Sequence, residues 1–184
     1  MEPLQELLDI VDEDNQVTGQ TTRGDAHKKG YIHRALSVLV LNSKGQILLQ
    51  QRSDKSRVHP LSWDLSTSEH VLAGESYEDA ARRSLKEELG IEADVERATT
   101  EVLQKREYEI RGEKHLEYEI VLMLKSRHEG PFNIDPQEVF KVGFFTIEEI
   151  EKMKNDGISF TPWFLDEWEN VKRVASSLGM RGSN

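Results

Sequence analysis

The sequence predicts one α+β domain, a mixed sheet with helices against it. Three observations carry this. β-rich runs separated by Gly, Asp and Asn turns recur along the 184 residues. A helical stretch at 77–89 lies between a capping Ser76 and a stopping Gly90. The tail from Thr161 has the pattern of a closing helix, with Pro162 at its first position.

Taken in order, 7–23 reads as a short hairpin turning at Asp14-Asn15, and 24–34 as a polar connector. Residues 35–42 and 46–52, separated by Ser43-Lys44-Gly45, read as a central hairpin. A proline-containing loop follows at 53–62, then a short extended segment at 63–71 and a loop into the helix. In that helix Ala81, Leu85 and Leu89 form an apolar stripe facing the sheet. Ser76 with Asp79 gives it an acidic first turn. Residues 93–110 give one or two strands and 116–127 another. Next come a loop at 128–138, a strand and short helix over 139–157, and the closing helix.

The chain has no cysteine, which excludes disulfides, thiolate metal sites and a catalytic thiol. Its longest apolar stretch, Ala35 to Leu41, falls far short of the roughly 20 residues of a membrane span. The N-terminus has no secretory pattern, so a soluble cytoplasmic protein with no membrane partner is expected. The net charge of −10 disfavours a nucleic-acid polymer as partner. A small anion remains compatible if clustered acids hold a bridging divalent cation.

Two groups of residues suit that bridge. Glu87 and Glu88 lie about a quarter-turn apart on the helix, with Glu75, Arg82 and Arg83 nearby; they are either a cation cradle or a wet acidic face. Glu117 and Glu119 share one strand face opposite Leu116, Tyr118 and Ile120, and are either solvated or bridged by a cation. His59, His115 and His128 read as surface residues.

Residues 69–91 resemble the Nudix signature. Glu75 stands at the first acid, Arg83 at the arginine, Leu85 at the apolar site, Glu87-Glu88 at the acidic pair, and Gly90-Ile91 at the end. Glu69 replaces the leading glycine and Ser84 the acid after the arginine, which removes one expected metal ligand. Over most of its length the chain also resembles isopentenyl-diphosphate isomerases, a branch of that fold. It matches their His pair with His27 and His33, and their Cys-Gly-His with Ser68-Glu69-His70. Their Glu-x-Glu and Thr-Pro-Trp correspond to Glu117 and Glu119 and to Thr161-Pro162-Trp163.

The resemblance implies a Nudix fold, a mixed sheet sandwiched between helices. Residues 1–30 would be a hairpin and connector packed on a Nudix domain at 31–184, one domain overall. It implies Mg²⁺ or Mn²⁺ at Glu87 and Glu88, and a second divalent ion at His27, His33, His70, Glu117 and Glu119. Glu75 and Arg83 become supports, and Arg23 and Arg52 diphosphate-binding cations, with Lys55 beside them. Trp163 covers the substrate, and Glu138 is the general base. The expected activity is divalent-metal-dependent hydrolysis of a small diphosphate compound, a nucleoside diphosphate linked to X. Isomerisation is disfavoured because Ser68 replaces the family's cysteine, and a hydroxyl is a poor proton carrier near neutral pH. A ligand sensor without turnover is the third reading. The sequence assigns no oligomeric state.

Overall fold

The computed structural model describes residues 4–110 and 112–179. Strands β1 (Leu7–Val11) and β2 (Val17–Thr22) pair antiparallel as a separate two-stranded sheet. Asn15 takes a positive φ of 61° in their turn, which its short polar side chain tolerates. The hairpin is tied to the rest of the fold. Val11 N–H donates to the Ile32 carbonyl, and Gly74 N–H to the Asp9 carboxylate, both at 2.9 Å.

The expected polar connector is a helix, α1 (Arg23–Lys29). Thr22 Oγ1 caps it by accepting from Asp25 N–H at 3.3 Å. Gly30 ends it at φ 69°, where a β-carbon would sit 2.9 Å from Leu116. Only Ala26 and His27 face inward, so the segment carries no apolar stripe to announce it.

Strands β3 (His33–Leu41) and β4 (Ile47–Arg52) meet only at Leu41 and Ile47, so the central hairpin exists at its tip alone. Beyond that, β3 pairs antiparallel with β6 (Thr67–His70) and parallel with β9 (Glu113–Arg127). β4 instead takes β5 (Trp63–Asp64) and β10 (Val139–Phe145). β7 (Glu96–Arg97) and β8 (Val102–Ile110) both pair with β9. One parallel pair in an otherwise antiparallel sheet makes it mixed.

Alternation along β3 builds two apolar layers. Leu36, Val38 and Val40 pack with Ala81, Leu85 and Leu89 of α2 (Tyr77–Leu89). Leu39 and Leu41 pack on the opposite face with Ile150 of α3 (Ile147–Asn155) and with Phe164, Trp168 and Val171 of α4 (Pro162–Gly179). The sheet is thus sandwiched between helices, as expected. No helix among the described residues is long and apolar enough to cross a membrane.

Local chemistry fixes the helix ends near the site. Ser76 Oγ accepts from Asp79 N–H at 3.1 Å, and Gly90 closes α2 at φ 65°. The backbone of the 128–138 loop then covers that end: Asn133 N–H donates to Leu89 O at 2.9 Å and Asp135 N–H to Glu88 O at 3.0 Å. A β-carbon at Gly90 would lie 2.6 Å from Asn133 O.

Candidate functional site

Three imidazoles and a carboxylate converge where β3 begins. Strand register places His33 directly beside Glu119 and sets His70 across from Ala35. α1 brings His27 in from the side, and the ring centroids of His27, His33 and His70 are each 5.1 Å from the other two. His70 Nε2 lies 3.2 Å from both His27 Nε2 and Glu119 Oε1, and His33 Nε2 is 3.6 Å from the same carboxylate oxygen. All four side chains are buried.

Their electrostatics suit a cation. Burial lowers His27, and the neighbouring His70, His33 and His115 rings add to it. Burial, with the Arg23 cation nearby, pulls His70 down to about 3. Neutral imidazole is the ligating form. His33 Nδ1 donates to the Tyr31 carbonyl at 2.9 Å, so the neutral ring carries its lone pair on Nε2. That buried Nε2 has no hydrogen-bond partner among the described residues. Burial works against a charged Glu119, but the imidazoles beside it, with His70 Nε2 3.2 Å from its Oε1, outweigh burial and hold the carboxyl well below its ordinary range. A divalent ion fits this donor set, which joins borderline nitrogen ligands to a charged oxygen.

Next to it stands a second group. Glu117 is nine-tenths shielded, with Oε1 taking a hydrogen bond from Tyr108 and Oε2 making none among the described residues. Burial and the charge of Glu119 raise its carboxyl. His115, expected at the surface, lies tilted against His27 at 4.2 Å between centroids and reaches 3.9 Å from Glu117. The β8–β9 register explains this correction: Tyr108 pairs with His115, Arg106 with Glu117 and Gln104 with Glu119. Directly opposed residues share a face, so both strands feed the same site.

A cavity opens beside these groups. Among its lining are Arg23, Arg52, Ser68, Arg106 and Trp163, with His27, His70, Glu117 and Glu119 in the wall. Arg106 Nη1 lies 3.9 Å from Glu117 and 3.7 Å from Glu119, while its Nε reaches Asp166 at 2.7 Å. Arg52 lies 5.5 Å from the Trp163 ring. Arg106, Gln104 and Glu167 were missed by sequence reasoning; alternation along β8 from a known hairpin register is the signal that would have found the first two. The fully buried Asp64 was missed as well, and its two-residue strand gives no such signal.

The helix acids are arranged differently. Arg83 grips Glu75 with two bonds of 3.0 and 3.1 Å, donates to His70 O at 3.0 Å, and reaches Glu69 at 3.5 Å and Glu87 at 3.4 Å. Glu87 stays exposed, whereas Glu88 is buried and accepts from Gln50 Nε2 at 2.8 Å. Burial, then the charge of Glu69, pushes the Glu88 carboxyl well up, with Glu138 adding to the effect. Glu88 Oε1 has no hydrogen-bond partner among the described residues. Ser84 turns inward, where its hydroxyl meets Thr67 Oγ1 at 2.8 Å. Glu138 is exposed on the loop beyond Gly90, and Lys55 is exposed away from the cavity lining.

Comparison with known proteins agrees with this architecture. The NUDIX domain model matches residues 31–164. An isopentenyl-diphosphate Delta-isomerase of Halobacterium salinarum is 34% identical over 161 residues, covering 84% of this chain and 74% of that protein. An uncharacterized Nudix hydrolase of Listeria monocytogenes is 28% identical over 172 residues, covering 93% and 98%. A crystal structure from Deinococcus radiodurans shares the fold at a TM-score of 0.70 and 24% identity, over 92% of this chain and 99% of that one. With its sandwiched mixed sheet, its signature helix and a match across most of its length, the chain belongs to the NUDIX domain family.

Proposed function

We propose that the protein hydrolyses a small diphosphate compound, a nucleoside diphosphate linked to X, with a divalent cation. The observation that carries this reading is the convergence of His27, His33, His70 and Glu119, all but His33 in the wall of a cavity that also presents Arg23 and Arg52. Mg²⁺ or Mn²⁺ is the proposed ion. It supplies charge neutralisation at the phosphates and activation of water. The chain's residues do the rest. Arg23 and Arg52 bind the phosphate oxygens, Trp163 covers the organic group, and Arg83 with Glu75 braces the helix. His33 is held in its ligating tautomer by Tyr31. Glu117 completes the donor set on the cavity side.

A second ion position would draw on Glu88, with Glu87 from the same helix. Burial raises Glu88 most, Glu69 and Glu138 add to it electrostatically, and a cation there would offset both effects. Glu138 is the proposed general base, since it sits on the loop that covers the end of α2.

One observation favours a second reading, isomerisation of a prenyl diphosphate. Ser68 lines the cavity, and its buried hydroxyl makes no hydrogen bond among the described residues. A group at that place in the lining is where a proton carrier would stand, although a hydroxyl titrates far from neutrality. Ser68→Cys distinguishes the two: on the second reading it gains deuterium exchange from solvent into isopentenyl diphosphate.

The primary test is a panel of nucleoside diphosphates, nucleoside diphosphate sugars and dinucleotides with Mg²⁺ or Mn²⁺. Hydrolysis of a panel member, abolished in the Glu87→Gln, Glu88→Gln double variant with the fold intact, is expected. Turnover at the parent rate in that variant would remove the helix pair from the mechanism. Tight binding without product would replace the enzyme with a ligand sensor.

A further inference from the structure

Asp64 belongs to the two-residue strand β5, paired opposite Gln50, and its side chain is fully buried. It is not part of the cavity wall, but two residues that are, Arg52 and Trp163, rest on it. Asp64 Oδ1 accepts from Trp163 Nε1 at 2.8 Å, from Thr161 Oγ1 at 3.0 Å and from Leu65 N–H at 2.8 Å. Oδ2 accepts from the same indole N–H at 2.8 Å and faces Arg52 Nη1 at 3.6 Å. Burial pushes this carboxyl up, while Arg52, Leu65, Trp163 and Thr161 work to keep it charged.

Enclosing a carboxylate is unfavourable unless its lone pairs are used, and a neutral side chain would pack a strand edge at less penalty. Here each neighbour it engages has a consequence at the cavity. The Thr161 hydroxyl holds the start of α4, where it also accepts from Phe164 N–H at 3.3 Å. The indole is fixed by a bond from its one polar atom to both oxygens, which sets the plane of the ring. The Arg52 guanidinium, 5.5 Å from that ring, is kept from swinging outward, with its Nε on the Val58 carbonyl at 3.1 Å.

We infer that Asp64 is a positioning residue, fixing the Arg52 guanidinium and the Trp163 indole as one preorganised wall for a ligand that pairs a diphosphate with an organic group. Asp64 touches no substrate itself. The inference rests on the proposed function for what the wall receives, but its hold on the two side chains does not depend on the reaction.

The test uses Asp64→Asn and inorganic pyrophosphate as the probe, measured by calorimetry on the Mn²⁺-loaded full chain, with 5-fluorotryptophan NMR in parallel. Asn keeps the size and one acceptor for the indole but loses the charge facing Arg52. Pyrophosphate binding is expected to weaken roughly ten-fold, the scale of losing a charge-assisted contact. The Trp163 resonance, assigned by its loss in Trp163→Phe, should shift while those of Trp63 and Trp168 and the Mn²⁺ content stay as in the parent. With a substrate from the panel, KM rises and kcat changes less. Pyrophosphate affinity within two-fold of the parent, with an unmoved Trp163 resonance, overturns the inference.

Should the variant not fold, the parent supplies the answer through hydrogen exchange of its indole N–H groups. The Trp163 N–H is expected to be protected, as a donor to a buried carboxylate must be. Exchange at the rate of a free indole overturns the inference. A parent that binds no pyrophosphate contradicts the proposed function, and the NMR and exchange measurements still decide on Asp64.

Discussion

The histidine cluster and the signature helix both gather carboxylates, yet they treat them oppositely. His27, His33, His70 and Glu119, which could hold an ion, are buried with their donor atoms within 4.8 Å of one another, and two strands, β3 and β9, fix the spacing of His33 and Glu119 through their pairing. On α2 and in the loop before it the signature acids diverge: Glu75, ahead of the Ser76 cap, is held by Arg83, Glu87 lies in solvent, and only Glu88 turns inside. Neighbouring positions on a helix point about 100° apart, so sequence adjacency does not bring two carboxylates together. Adjacent strands at fixed register do. The cluster is accordingly preorganised, whereas the helix acids do not converge.

That contrast can be broken at several points. Replacing His33 by Gln should have the largest effect, lowering divalent-ion affinity by more than roughly 100-fold, beyond the loss typical of a residue that only orients a ligand through a hydrogen bond; calorimetry with Mn²⁺ measures it. An unchanged affinity would move the main ion site to the helix. Next, Arg83→Met removes the brace shared by Glu75, Glu69 and the His70 carbonyl. Because Arg83 is four-fifths shielded, a stability loss of about 2 kcal/mol in urea titration is expected.

Glu88→Gln has a smaller effect, with a defined sign. The folded-state carboxyl of Glu88 titrates above its unfolded value, so the native state binds its proton more tightly. Stability contributed by that group is full below the unfolded pKa and lost as pH rises through the folded one. In chelated protein the Gln variant should therefore melt above the parent at neutral pH, and the gap should close as pH falls toward about 4.3, the ordinary glutamate value. A gap that persists in acid contradicts the assigned burial. Glu87→Gln should matter least to folding, within about 0.5 kcal/mol, since its ion pair with Arg83 is exposed.

Much of the architecture was legible from local chemistry. Ser76, Gly90 and the Ala81-Leu85-Leu89 stripe define α2 without reference to the rest of the chain. Thr161 and Pro162 do the same for the start of α4. What escaped depends on distant pairing. The parallel match of β3 with β9 links His33 to Glu119 across 86 residues, and no local pattern specifies it. Strand alternation marks Glu117 and Glu119, the family resemblance adds His27 and His33, and the geometry shows the physical reason they meet. His115, Arg106 and Gln104 stood on a face already marked by Glu117 and Glu119, but only the hairpin register reveals that they share it. Asp64 stands in a segment that the sequence marks only as extended, and its partners Arg52, Thr161 and Trp163 come from distant parts of the chain. α1 stayed hidden because a seven-residue helix with two inward side chains has no periodic signature.

The central claim is that the buried imidazole and carboxylate cluster, not the helix acids, is the principal seat of the divalent ion. Anomalous diffraction from crystals soaked in Mn²⁺ tests it most directly. The strongest peak should lie among His27, His33, His70 and Glu119, within ligating distance of His33 Nε2. A strongest peak at Glu87 and Glu88, with none at the histidines, would contradict the account.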